Sequence, residues 1–326
     1  TESECVRSPT TILMAATSAF NARMRMSVLR TAGSRCVLTA EECPVRRLPG
    51  NAAGLAWRRA LVPRYYSHMP ELPEVEAARK RLAKVAEGKT IARLRLLHPA
   101  LAKRITVGRL RGLKGRRIVT VERRGKHQLL HLDDGRTIAV HFRMNGDWEI
   151  GTVSDAEPRH MRASLELEGG TRVALTDMRA LSTVELFDAG EGAPALGPEP
   201  MDPAFNADSL GVSLARRSGA IKPALLDQKM VAGIGNIYAS EALWAAKISP
   251  KAKAASLSAH RRERLVQAIR EVLSDAPAGR YWAKHDDSRW NVYDREGEKC
   301  PRCGATIRRI VQAGRSTFYC PVDQKT

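Results

Sequence analysis

No apolar run in the 326 residues approaches the ~18 that a membrane-spanning helix needs, so an α-helical integral membrane protein is excluded. Cysteine is scarce. Six residues are too few for a disulfide scaffold at this length. Acidic residues are in deficit, with 35 Asp and Glu against 54 Lys and Arg, which leaves a formal net charge of +19. That excess calls for a polyanionic partner or a targeting role, and nucleic acid is the first candidate. What is present suffices for a folded protein. Hydrophobic residues make up 43%, and the length suggests two domains of roughly 150 residues each.

The first 68 residues differ from the rest. They hold ten arginines, no lysine and four acids, so they carry +6 of the net charge and residues 69–326 carry the other +13. The segment is rich in Arg, Ser, Ala and Thr and keeps no helical or strand period. Three readings stand: translated upstream sequence from an early start, an organelle transit peptide, or a functional tail. Cys5, Cys36 and Cys43 lie here without metal-like spacing.

From Met69 the style changes. Pro70-Glu71-Leu72-Pro73-Glu74-Val75-Glu76 leads into a helix-forming stretch over 77–85. Pro73 suits a first helical turn, and Glu74 and Glu76 favour a helix N-terminus. If Met69 is removed, Pro70 becomes a secondary amine. An α-amino group titrates at roughly 7.7–8.0, and its free base can attack a sugar C1′ to form a Schiff base. Glu71 and Glu74 could then move the protons. The same residues also read as an ordinary helix start.

Residues 90–187 alternate or form short apolar runs, which predicts strands at 91–97, 117–123, 127–132, 137–142, 163–167 and 172–175, with hairpin signals at Asp133-Asp134-Gly135 and Glu168-Gly169-Gly170. Gly125-Lys126 sits at a turn where backbone could approach a phosphate, although a lone lysine is also ordinary surface. The Gly/Pro-rich stretch 189–203 predicts a linker. Helices are expected at 204–217, 221–228, 236–246 and 258–274. Between two of them, Gly233-Ile234-Gly235-Asn236 is a tight turn that could leave backbone N–H groups free for a phosphate, with Asn236 as N-cap, or could be a plain helical hairpin.

Cys300 and Cys303, then Cys320 and Asp323, have the two-knuckle spacing of a zinc ribbon with a carboxylate in the fourth position. A hairpin over 306–311 and 316–319 is predicted between the knuckles, with Ala313-Gly314-Arg315 at its tip, where Arg315 could reach a DNA phosphate or remain a free surface residue.

In this order the motifs MPELPEVE, AIKPALLDQKMVAGIGNIYASEALW and CPRCGATIRRIVQAGRSTFYCPVDQ resemble the formamidopyrimidine-DNA glycosylase (Fpg/MutM) family, with Nei as the sister branch, over the whole of 69–326. The resemblance implies an α+β multidomain fold: an extension over 1–68, an N-terminal catalytic β-sandwich with a flanking helix over 69–188, a linker over 189–203, a helix–two-turn–helix domain over 204–292 and a zinc-finger β-hairpin over 293–326. It implies a base-excision repair enzyme, a DNA glycosylase and AP lyase. Pro70 would be the nucleophile, Glu71 the proton shuttle and Glu74 support for the lesion pocket. Lys126, Asn236 and Arg315 would hold phosphates. Met144, Arg179 and Leu181 would fill the gap left by the extruded nucleotide, and Lys222, Gly235 and Tyr238 would complete the DNA-binding set. One structural zinc is implied at Cys300, Cys303, Cys320 and Asp323.

The expected partner is damaged double-stranded DNA carrying oxidised purines, with no membrane and a monomeric state. The expected location is the cytoplasm or nucleoid in a bacterium, or an organelle if the extension is a transit peptide. The sequence departs from the family pattern at Asp323, at Asp177-Met178-Arg179-Ala180-Leu181, where two adjacent arginines and Phe are usual, and at a short 275–291 segment. These departures keep a Nei-like pyrimidine preference open. A chain in which Met69 still acylates Pro70 is expected to be catalytically silent while binding DNA.

Overall fold

The structure is a computed structural model that describes residues 69–102, 105–191, 194–276 and 290–326. Helix α1 (Leu72–Ala86) starts one turn earlier than its helix-forming run suggests. Glu74 Oε2 accepts the backbone N–H of Glu71 at 3.0 Å, and Pro73 lies in the first turn, where it forfeits no bond. Leu72, Val75, Ala78, Leu82 and Ala86 recur at helical spacing and are buried. That stripe lays α1 on strand β2 (Ile118–Arg124).

Two four-stranded antiparallel sheets form the sandwich. The first runs in the order β1 (Ile91–Leu96), β6 (Met161–Leu167), β7 (Thr171–Thr176), β5 (Asp147–Thr152). The second runs β2, β3 (His127–Leu132), β4 (Thr137–His141), β8 (Thr183–Phe187). Two short helices, α2 (Pro99–Ala102) and α3 (Val107–Arg111), follow β1. Ile91, Ile118, Leu130, Val173 and Leu175 are among the apolar side chains of the shared core. Trp148 on one sheet donates its indole N–H to Gln128 Oε1 on the other at 2.7 Å, so both bury a polar atom with a partner.

The Gly/Pro-rich connection is a tie and not a loose linker. The Glu199 carboxylate accepts Arg123 at 2.6 Å, Arg124 at 3.1 Å and the Gly125 N–H at 2.6 Å. Gly197 donates to Gln228 O at 2.8 Å, and a Cβ at Gly197 would lie 2.5 Å from Lys229 O. The backbone of Gly125, expected to approach a phosphate, is therefore engaged with this tie.

Helices α4 (Ala207–Ala215), α5 (Ile221–Leu225), α6 (Asn236–Ala245) and α7 (Ala259–Ser274) form the helical part. α4 and α5 are shorter than expected. Asn206 caps α4 from a later start, accepting Asp208 N at 3.1 Å and Ser209 N at 3.0 Å. The hairpin pairs β9 (Arg308–Gln312) with β10 (Arg315–Tyr319). Its turn is Ala313-Gly314, both at positive φ, so Arg315 is the first residue of β10 opposite Gln312 and not the tip. The hairpin has no separate core: Ile307, Phe318, Cys300 and Cys320 pack in the cluster built by the helices. Leu72 of α1 joins the same cluster, so the first turn of α1 is held by both halves.

Candidate active site

Glu71 is the hinge of the site. It is 1% exposed, yet it is an acid at the start of a surface helix. Its carboxylate reaches the N-terminus of α6 and accepts Ile237 N at 2.9 Å and Tyr238 N at 3.2 Å. A carboxylate there satisfies two otherwise orphaned donors and sits at the positive end of the helix dipole. The approach requires glycine: a Cβ on Gly235 would lie 2.3 Å from Glu71 Cδ, and one on Gly233, at φ +86°, would lie 2.5 Å from Leu72.

This narrows which amides at the start of α6 could meet a phosphate. Those two amides are committed to Glu71, so they are not open to a phosphate. Gly235, not Asn236, is the N-cap residue, and Asn236 is the first residue of the helix.

Around Glu71 the chain gathers most of its expected site residues. A cavity of about 200 Å³ is lined by Met69, Lys126, His141, Gly235, Asn236 and Arg315, among others. Three segments distant in sequence thus meet: the start of α1, the β2–β3 turn, and the helix–hairpin junction. Lys126 is 7% exposed and so is not ordinary surface. Burial pulls its ammonium below the usual lysine value, against the attraction of Glu71 and Glu74. Burial pushes the Glu71 carboxyl up, and Lys126 partly opposes that rise. Glu74 accepts the Tyr238 hydroxyl at 2.9 Å. Pro70 is buried and joined to Met69 by an ordinary peptide bond.

Two expected DNA contacts turn inward. Lys222 is 1% exposed, and its ammonium donates to Asn236 Oδ1 at 2.7 Å, Thr317 Oγ1 at 2.8 Å and Ser316 O at 3.1 Å. Those three acceptors use its three donors, so it ties the hairpin to the helices and is not available to DNA. Burial brings its pKa down to about 7. Tyr238 is also 1% exposed, with its ring edge-on to Trp290 at 5.6 Å and its hydroxyl on Glu74. It supports the site from behind. Asn236 also donates to Ser316 O at 3.0 Å, which seats the hairpin strand carrying Arg315.

Met144, Arg179 and Leu181 lie in two adjoining loops, 142–146 and 177–182, with Arg179 and Leu181 exposed and Met144 half-buried. Residue patterns overlooked His127, His141 and Arg143, which also line the cavity. The two imidazoles meet edge to face at 4.6 Å. Burial first, then the charges of His127, Arg143 and Lys126, lowers His141 to about 3. A histidine directly after Lys126 was the available signal. Glu241 was missed as well. It is 2% exposed and accepts the backbone N–H groups of Asn291, Val292 and Tyr293 at 2.9–3.0 Å. Most of the short segment 275–291 falls outside the described residues.

At the base of the hairpin the sulfurs of Cys300, Cys303 and Cys320 lie within 4.8 Å of one another, and Cys303 and Cys320 approach to 3.4 Å. A tetrahedral zinc with Zn–S bonds of about 2.3 Å places sulfurs ~3.8 Å apart, so the trio fits three corners of one structural ion. The Asp323 N–H donates to Cys320 Sγ at 3.4 Å, a contact that favours thiolate. The Asp323 carboxylate does not join the trio. Its Oδ2 pairs with Arg302 at 2.9 Å, and Arg302 in turn lies 3.8 Å over the Trp244 ring. A guanidinium thus lies beside the oxygen expected to be the fourth ligand, and the cluster brings together the three sulfurs alone.

The fold and site define a protein whose β-sandwich and helix–two-turn–helix share one cation-lined cavity, braced by a hairpin that carries three clustered cysteines. Three family models match in that order: the formamidopyrimidine-DNA glycosylase N-terminal domain over 69–184, the formamidopyrimidine-DNA glycosylase H2TH domain over 196–281, and the zinc finger found in FPG and IleRS over 297–326. The formamidopyrimidine-DNA glycosylase of Chloroflexus aurantiacus is 41% identical, over 79% of this chain and 98% of the relative. That of Novosphingobium aromaticivorans is 40% identical, over 79% and 100%. Among solved structures, the Lactococcus lactis enzyme non-covalently bound to AP-site DNA superposes with a TM-score of 0.73 at 32% identity, and MutM with carbocyclic 8-oxo-G DNA gives 0.72 at 31%, each over 79% of this chain and all of the other. The chain belongs to the formamidopyrimidine-DNA glycosylase family.

Proposed function

We propose that residues 69–326 form a bifunctional DNA glycosylase and AP lyase that removes oxidised purines from damaged double-stranded DNA. The observation that carries this reading is Glu71: a buried acid held on the α6 amides, next to Pro70 and close enough to Lys126 for charge coupling. Once the Met69–Pro70 bond is cut, the Pro70 amine has a lone pair. That pair forms a bond to C1′ as the bond from C1′ to the base breaks, and the base leaves with a proton. The sugar ring opens to the iminium as O4′ takes a proton, loss of the C2′ proton expels the 3′ phosphate, loss of the C4′ proton expels the 5′ phosphate, and water hydrolyses the remaining imine to free Pro70. Glu71, whose carboxyl is raised by burial, holds and passes protons at this centre. Lys126 and Arg315 place positive charge where the flanking phosphates would lie.

The zinc finger match and the three thiols support one structural zinc. Bound there, it would fix the base of the hairpin and hence the position of Arg315. The protein acts as a monomer on this reading.

A pyrimidine preference is the second reading. It rests on the Asp177–Leu181 departure, where two adjacent arginines and Phe are usual, and the L. lactis wild-type enzyme, which superposes with a TM-score of 0.73, has been solved with an oxidised-pyrimidine-containing DNA.

The test is borohydride trapping on an abasic duplex. Protein beginning at Pro70 should yield a covalent adduct. The 326-residue chain should bind the duplex and yield none. No adduct from folded protein beginning at Pro70 would overturn the lyase mechanism and leave a DNA-binding protein without chemistry.

A further inference from the structure

The backbone is strained where the 142–146 and 177–182 loops meet. Among the described residues six non-glycine residues have positive φ; of these Arg143 at +55° and Ala180 at +53° lie in the loops, and His160 at +62° accepts the Asp177 N–H at 3.0 Å. Side-chain-bearing residues persist in that region only where their surroundings over-determine it.

Asp177 supplies that determination. It is 1% exposed, and its carboxylate accepts Arg179 N at 2.9 Å, Leu181 N at 2.8 Å and Ser182 N at 2.7 Å. The Ser182 hydroxyl lies 2.8 Å from Asp177 Oδ2 and 3.0 Å from Phe142 O, sharing its proton between the loop and the neighbouring turn. Arg162 holds the opposite side, donating to Asp177 O at 2.7 Å and Met178 O at 3.1 Å. The two loops interlock at Gly146, where a Cβ would lie 2.6 Å from Ser182 Oγ. With its backbone tied down, the loop still leaves two apolar side chains in solvent, Met178 at 40% and Leu181 at 44% exposure. Three backbone N–H donors and a hydroxyl on one buried carboxylate are a large commitment for a surface loop with no core of its own.

We propose that Asp177, with Ser182 as its link to the Met144 turn, is the positioning residue that presents Met178, Arg179 and Leu181 as one preformed wedge, and that Met178 is a second apolar member of it. This rests on reading the loop as the element that fills the gap left by an extruded nucleotide. Opening a stacked duplex costs a few kcal/mol. A wedge already ordered before binding does not have to be ordered during that step, so its ordering entropy does not weaken insertion.

The experiment uses the full 326-residue chain and needs no chemistry. 2-Aminopurine is placed opposite a tetrahydrofuran site, and its fluorescence rises when the wedge separates it from its neighbours. A second duplex carries the tetrahydrofuran in a pre-opened bubble, where nothing has to be unstacked. D177N and S182A should bind the closed duplex more weakly, D177N on the order of tenfold, with a reduced fluorescence rise. Both should bind the bubble within about twofold of the parent, since phosphate contacts dominate there. M178A should lower the fluorescence rise without moving the melting temperature.

Equal losses on both duplexes would show a general structural role and overturn the proposal. So would unchanged binding and fluorescence in D177N and S182A beside a parent that responds. A parent with no fluorescence rise would instead remove the reading of the loop as a wedge, and the proposal with it.

Discussion

Gly235 and Glu71 behave as one unit at the scale of single residues. Alanine at 235 would drive Glu71 off the α6 amides, because its Cβ would fall 2.3 Å from Glu71 Cδ. G235A should lose about 1–3 kcal/mol in urea melting, as overpacking does, and base excision should fall with it. His141 gives a pH signature. Its folded pKa of about 3 lies below the ordinary 6.5, so the unfolded chain binds more protons between those values. The neutral imidazole therefore contributes its full stability above pH 6.5, and that is lost as pH falls toward 3. Urea melting across this window should show the slope, and H141Q should flatten it. The residues proposed to react were legible at this scale because MPELPEVE is a dense local pattern. The inward turn of Lys222 and Tyr238 was not, since nothing nearby in sequence says that Ser316 O, Thr317 and Glu74 wait for them.

Among the elements, strand β3 was read to the residue, because HQLLHL sits between two clear turns. Strands β5 and β8 were not foreseen. DWEIGT mixes acids and glycine with its two apolar residues, and it is a strand because β7 pairs with it and Trp148 finds Gln128. Such context overrides weak strand propensity. The segment 290–293 is ordered in the same non-local way, by Glu241. E241A leaves three backbone N–H groups without their acceptor, and should destabilise the protein by about 3 kcal/mol in thermal melting. For the hairpin, one zinc per chain is expected by metal analysis. D323C should retain zinc against a higher chelator concentration than the parent, because a fourth thiolate does not share its position with Arg302.

Electrostatics governs the whole molecule. The +13 carried by residues 69–326 predicts DNA affinity that falls steeply with salt. R143A and R315A, both exposed at the cavity, should each reduce the slope of log affinity against log salt by about one in fluorescence titrations. K222M should leave that slope unchanged and lower the melting temperature instead, because its charge is spent inside the protein. The bridge from Glu71 to α6 also limits how this architecture can be recombined. A sandwich half taken from one family member and a helical half from another bring the acid and the glycine from different parents. Such a chimera stays competent only if the glycine stays small and the acid keeps its length. Exchange of halves is therefore gated by two positions 164 residues apart in the chain, and a screen of shuffled relatives should recover active enzymes with Glu71 and Gly235 inherited together.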